Sequence, residues 1–350
     1  MTEMMNVNPL MDFARKTECS VKIPSQGLWY DDDAIEFNAI GEVDIMPMLP
    51  NDEMKIVNPE SLISGDAIIS VIKSCCPGIK RPEELYYPDV NVLLLGIKKA
   101  TYGDELIQTS ICPNCWNKKN DIEHNEFLRL VEEAKKNIDE LSSDEYKELV
   151  EEAKKNVASK ITEMEKKNEI IIREQSYKYS IDSILNEMKF LPKDGVVETK
   201  EGLKIYVTPY RCIDKIKFTT RNIQQQKIYD YYRKVSKENK EDINEQLKVV
   251  NNMSNLYDKL TNQSIDIIAS SIRKIVLPTG ETVDDGKFIN EYVRNVSSDL
   301  VTKLNNKIME LNSCGIHEEL SYKCECCGHE WKEKFYGFNQ SDFFGTGSWF

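Results

Sequence analysis

Ile111-Cys112-Pro113-Asn114-Cys115-Trp116 and Lys323-Cys324-Glu325-Cys326-Cys327-Gly328-His329 are the two stretches on which the reading of this chain turns. Each holds a C-x-x-C: Cys112 with Cys115, and Cys324 with Cys327. Two such pairs supply four thiolates, and four thiolates close a tetrahedral zinc shell. Leu106-Ile107 is a strand-like run before the first pair, and Leu320 and Tyr322 alternate with polar residues before the second. Gly328 follows the last thiolate, where a tight turn favours positive φ. Each half therefore reads as a hairpin with two sulfurs at its tip, the two meeting in one ribbon. About two hundred residues separate the pairs, against roughly 15 to 20 in a compact four-cysteine site. A shared metal then means that a whole domain is inserted into the ribbon, which is tolerable because loop-closure entropy grows only logarithmically with length. The competing reading is two unrelated hairpins with free buried thiols. Cys326 and His329 are alternative ligands, although Cys326, between two ligands, is expected to point away.

The 350 residues suggest two or three domains, and 40% hydrophobic with 30% charged content permits a sizeable core in a soluble protein. No apolar stretch approaches the roughly 18 residues of a membrane span. The N-terminus, Met1 to Lys16, has no signal-peptide pattern. An intracellular setting is the expectation, and there paired cysteines more often hold metal than form disulfides. Net charge is −13, from 46 Lys and Arg against 59 Asp and Glu. That balance argues against nucleic acid, whose phosphates call for a basic face, and favours protein partners.

Outward from the cysteines, the spacing predicts an α+β chain: a small N-terminal α+β domain, a split four-cysteine zinc ribbon and a large, mostly helical insertion. Residues 1–19 form a flexible arm. Residues 20–122 form the N-terminal domain with the first knuckle. Its strands are expected at Val21 to Ile23, Ala34 to Phe37 and Val43 to Met48. Helices are expected after Asn58-Pro59, over Ala67 to Ser74, and from an Asp89 N-cap through Ile97 to Gly103. Residues 123–198 form the charged insertion. Phe127, Val131, Ala134, Ile138 and Leu141 step at helical spacing, and Ser142 with Glu145 makes a capping box for a second helix. LVEEAKKN occurs twice, at Leu130 to Asn137 and Leu149 to Asn156, which fits a duplicated helical hairpin; a coiled-coil docking arm is the functional alternative. Residues 199–315 form a central α+β region, with a strand over Leu203 to Val207, helix over Ile213 to Asp258, a strand ending at Leu277 and one long helix over Phe288 to Leu311. Residues 316–350 carry the second knuckle and an aromatic tail, with Phe343, Phe344, Trp349 and Phe350 as candidate partner-binding residues.

No catalytic set emerges. The three histidines are His124, His317 and His329, and no G-x-S-x-G or G-x-x-x-x-G-K-[ST] occurs. His124-Asn125-Glu126 with Cys112 and Cys115 has the parts of a zinc deaminase in the wrong order. A helix starting near His124 accounts for Glu126 as a first-turn acid. The expectation is a non-enzyme with structural Zn2+ at Cys112, Cys115, Cys324 and Cys327.

Lys22-Ile23-Pro24-Ser25-Gln26-Gly27-Leu28-Trp29-Tyr30 resembles the P-S-x-G-x-x-Y opening of the T4-type phage baseplate hub subunit family. The similarity continues through Met46 to Met54, Asn58 to Cys76, Asp89 to Gly103, the Cys112–Cys115 knuckle, Leu203 to Pro209, the closing knuckle at Cys324 to His329, and Asp342-Phe343-Phe344. It rests on the order of these motifs and leaves out residues 1–18 and much of 123–190. The resemblance implies a structural or assembly component of a contractile-tail baseplate hub, working through other hub or tail proteins. It would act in the host cytoplasm during assembly, with the virion tail as a second location. Two other classes compete. A zinc-ribbon nucleic-acid-binding protein is disfavoured by the charge, and a metal-dependent enzyme needs an open coordination position that four cysteines close.

Overall fold

A computed structural model describes residues 15–57, 65–135, 143–167, 174–214, 216, 264–317 and 319–334. Helices and small sheets mix along the chain, so the class is α+β. Two compact units emerge: one from Met1–Glu105 with Ser180–His317, the other from Leu106–Tyr179 with Glu318–Phe335.

The first unit opens with β1 (Cys19–Val21) paired antiparallel to β2 (Val43–Ile45). Helices α1 (Pro50–Val57), α2 (Asp66–Cys75) and α3 (Tyr87–Tyr102) follow. Every residue of α3 from Pro88 to Lys98 is buried. A helix with apolar residues on all sides belongs inside a core, and α3 packs on α2, β1 and β2. The contact is closest at Gly96, where an added Cβ would lie 2.3 Å from Ile45 Cδ1 and 3.0 Å from Val21 Cγ1. Alanine normally favours a helix over glycine by about 1 kcal/mol. Here overpacking should win. Gly96→Ala is expected to destabilise the protein by about 1–3 kcal/mol, read as a lowered midpoint of thermal unfolding. A raised midpoint would show that the strands have room to retreat.

Several expectations need correction in this unit. Ala34 to Phe37 forms no strand and contributes only an isolated bridge, Ile35 to Ile79. Helix α1 was not foreseen, although Pro50 with Asp52 and Glu53 is ordinary helix-start chemistry. Asp89 is not an N-cap: Tyr86 occupies that position, and Asp89 lies buried in the first turn of α3. Its carboxylate instead holds the loop Ser25–Tyr30. Oδ1 accepts from the Ser25 N–H at 2.9 Å and Oδ2 from the Tyr30 hydroxyl at 2.8 Å. The Tyr30 oxygen accepts the Tyr86 N–H at 2.6 Å. Gln26, Gly27 and Trp29 between them take positive φ of 52°, 82° and 68°. The P-S-x-G-x-x-Y run is thus a compact turn tied to the central helix. The predicted start at Asn58-Pro59 lies outside the described residues.

A second core in the same unit lies under an antiparallel sheet of β5 (Val196–Glu198), β6 (Lys204–Val207), β7 (Ile272–Val276) and β8 (Thr282–Val283), in that order. Ile205, Val207, Ile272, Ile289, Leu304 and Ile308 fill it. The single long helix expected over Phe288 to Leu311 is two helices, α7 (Gly286–Asn295) and α8 (Ser298–Asn312). Val296 between them is extended, and the Ser297 side chain caps α8 by accepting the Leu300 N–H. Most of the helix expected over Ile213 to Asp258 lies outside the described residues.

The chain leaves this unit after Glu105 and returns at Ser180. Asp104 clasps the two ends: Oδ2 accepts from Ser180 Oγ at 2.7 Å, Oδ1 from the Asp182 N–H at 2.8 Å, and its carbonyl from the Ile181 N–H at 2.9 Å. Ser180 in turn caps α6 (Ile181–Asn186).

The second unit contains β3 (Glu105–Ile111), α4 (Pro113–Lys135), α5 (Ser143–Lys166), β4 (Glu174–Ser180), β9 (Glu319–Lys323) and β10 (Glu330–Lys334). Helices α4 and α5 pair through Val157 and Ile161 with Ile122, Phe127, Leu130 and Met164, of which Phe127 belongs to the foreseen stepping. Ile138, Leu141 and Ser142 lie outside the described residues. The insertion boundary needs correction, because α4 begins at Pro113 and not near His124. Glu126 is therefore no first-turn acid; it pairs with Arg129 and Lys160 at 2.6 and 2.8 Å. Strand β4, inside the stretch expected to be helical, pairs with β3.

Candidate metal centre

Two different local structures present the two cysteine pairs. The first pair sits where a strand turns into a helix, which corrects the expected hairpin. β3 ends at Ile111, Pro113 takes the first helical position, and the Trp116 N–H donates to the Cys112 carbonyl at 3.0 Å. Proline is at home there, because the first N–H of a helix has no partner and the fixed φ suits the turn. Cys115 follows in the first turn of α4. The second pair sits at a hairpin tip, as expected. β9 and β10 pair antiparallel with Glu330 opposite Lys323, leaving Cys324 to His329 as the connection. The Cys324 N–H donates to the His329 carbonyl at 2.8 Å, the Gly328 N–H to the Cys324 carbonyl at 2.9 Å, and Gly328 takes φ of 71°.

The four sulfurs come together. Cys112 Sγ lies 3.7 Å from Cys327 Sγ, and Cys115 Sγ 3.8 Å from Cys324 Sγ. All four lie within 4.8 Å of one another. Metal–thiolate bonds of about 2.3 Å imply tetrahedron edges of roughly 3.8 Å, so the donor set fits a four-coordinate metal ion. Both of these contacts join one pair to the other, so the four sulfurs form a single cluster. Cys326 is exposed and outside this set, and His329 is turned to stack on Trp331 at 6.0 Å and 9°.

The two pairs differ electrostatically. Burial pushes the Cys324 thiol up, but the N–H groups of Cys327 and Cys326, together with Cys327 and Gln175 side chains, outweigh it and bring it down to about 6. The His329 N–H, then the Asn114 amide, lower Cys327. Burial and the neighbouring thiols raise Cys115. The hairpin pair thus has the surroundings that favour the anion, and thiolates are the form that binds metal.

An aromatic cluster supports the hairpin. Tyr322 is buried, edge-on to Tyr177 at 4.8 Å and stacked on Trp331 at 5.5 Å. The Tyr179 hydroxyl donates to the Ser321 carbonyl at 2.8 Å, and the Tyr177 hydroxyl lies 3.2 Å from the Lys323 carbonyl. They cover backbone acceptors of β9, as an edge strand requires. Two polar side chains that no metal-ligand pattern marks also reach the sulfurs. The Asn114 amide donates to Cys327 Sγ at 3.6 Å, and the Gln175 amide to Cys324 Sγ at 3.6 Å. The alternation of Tyr177 and Tyr179 with polar residues was the available signal, and it marks a strand without revealing its partner. The candidate partner residues Phe343, Phe344, Trp349 and Phe350 lie outside the described residues. Among the described residues no helix is long and apolar enough to cross a membrane. No family model, curated protein or solved structure matches the chain.

Proposed function

We propose that this chain is a structural or assembly component of a contractile phage tail baseplate hub, acting through protein–protein contacts and catalysing nothing. Zinc is the metal that suits its four-cysteine centre, since a tetrahedral all-thiolate shell favours zinc and leaves no open position for substrate. The carrying observation is the order of motifs from the Pro24–Tyr30 turn to the closing knuckle. Three features support it. The Pro24–Tyr30 run is tied to the central helix by the buried Asp89, so the resemblance falls on residues that build the core. The two knuckles, distant in sequence, supply one sulfur cluster. An overall charge of −13 suits protein partners better than nucleic acid. The protein would act in the host cytoplasm during assembly, with the virion baseplate as its further location.

An affinity-tagged chain expressed during infection tests this. Other tail proteins are expected to co-purify with it, identified by mass spectrometry of assembly intermediates beside finished virions. Recovery without any tail protein at every stage would end the hub reading. Salt-sensitive retention on DNA would favour the nucleic-acid alternative.

A further inference from the structure

We infer that Gln175 is a positioning residue of the metal centre, holding the second knuckle in place and donating its amide hydrogens to that knuckle's sulfurs. The inference rests on the metal reading above and assigns a role to a residue outside both cysteine motifs. Gln175 stands on β4, 149 positions from Cys324. Its side chain makes four contacts, divided by chemistry. Nε2 donates to Cys324 Sγ at 3.6 Å and to Cys326 Sγ at 3.5 Å. Oε1 accepts from the Glu325 N–H at 3.1 Å and from the Tyr177 hydroxyl at 2.7 Å. The reversed amide would set its nitrogen against the Glu325 N–H, so the surroundings select one orientation.

Each half has a separate consequence. The oxygen half fixes the backbone of the turn that carries Cys324, and the Tyr177 hydroxyl holds that oxygen from behind. The nitrogen half places N–H donors on sulfur. A donor withdraws electron density from a thiolate, stabilising the anion and lowering its reactivity towards protons and chelators. Gln175 thereby acts on the metal through Cys324 and touches no metal position itself. Cys326, held by the same amide, is kept beside the cluster without entering it.

The test compares the full-length protein with Gln175→Glu and Gln175→Leu, each loaded with cobalt(II) as a spectroscopic stand-in for zinc. Gln175→Glu keeps oxygen acceptors for Glu325 and Tyr177 but loses the donor; Gln175→Leu loses both. Both variants are expected to bind cobalt with a sulfur-to-cobalt charge-transfer band at lower energy than the parent. Both should release metal to a chelator on the order of 10-fold faster. If Gln175→Glu matches the parent in band energy and release rate, donation to sulfur plays no part and the inference falls. An effect confined to Gln175→Leu would likewise reduce Gln175 to a packing role. Gln175→Glu decides the matter if Gln175→Leu does not fold. A parent that takes up neither cobalt nor zinc defeats the metal reading and this inference together, which separates that failure from the others.

Discussion

Cys112→Ser and Cys324→Ser are each expected to abolish metal binding, whereas Cys326→Ser should keep about one zinc per chain. A serine oxygen is a far poorer ligand for zinc than a thiolate, and the four sulfurs form one cluster drawn from both pairs. Removing either partner therefore leaves an open, three-sulfur shell. Structural zinc contributes roughly 10–16 kcal/mol in small peptides, so the loss should be large where the hydrophobic core is small. The second unit has such a core: an aromatic cluster around Tyr322 and one helical seam. Its two segments, Leu106–Tyr179 and Glu318–Phe335, are far apart in sequence, and a metal held by the four sulfurs would be a direct link between them. Elemental analysis should show the metal lost in both variants, with the midpoint of thermal unfolding lowered. Full metal retention in both would return the four cysteines to unrelated thiols.

The second large effect lies at Asp89 and depends on pH. Burial raises its carboxyl from the ordinary 3.8 to about 6, only partly offset by hydrogen bonds from Ser25 and Tyr30. The folded protein therefore holds this proton more tightly than the unfolded chain does. The resulting stabilisation is complete below about pH 4, declines as pH rises through 4 to 6, and is gone above about pH 6. The shift corresponds to about 3 kcal/mol. Asp89→Asn cannot ionise, so its stability lacks this contribution to the slope. The parent's stability relative to Asp89→Asn should fall by about 2.4 kcal/mol between pH 4 and pH 7, measured by denaturant unfolding. Taking the difference between the two proteins at each pH cancels the acid-driven loss of metal that both share. A difference that stays flat with pH would mean that water or backbone movement relieves the buried carboxylate.

The four cysteines were legible because paired spacing is a chemical constraint, and the second hairpin was legible because Gly328 and the alternation of Leu320 and Tyr322 mark it. The first knuckle was misread for a physical reason. A C-x-x-C fits a helix start as well as a hairpin tip, and Pro113 favours the helix start. β4 stayed hidden because its inward positions are Gln175, Tyr177 and Tyr179, not aliphatic residues, and it follows a long charged helix. The break between α7 and α8 was masked by apolar stepping that runs across the Ser297 cap. Asp89 looked like a cap because an acid before an apolar run usually is one; its actual partners, Ser25 and Tyr30, lie 64 and 59 positions away. The same distance in sequence concealed Gln175. Pairings of this kind arise from the tertiary fold, and local periodicity carries no trace of them.

The centre itself is tested most directly by zinc-edge X-ray absorption of the protein purified without added metal. One zinc per chain, surrounded by four sulfur atoms at about 2.3 Å, is the expected result, with the zinc lost in Cys327→Ser as in the other ligand variants. A shell containing nitrogen ligands, or sulfur counts unchanged in that variant, would contradict a centre built from Cys112, Cys115, Cys324 and Cys327.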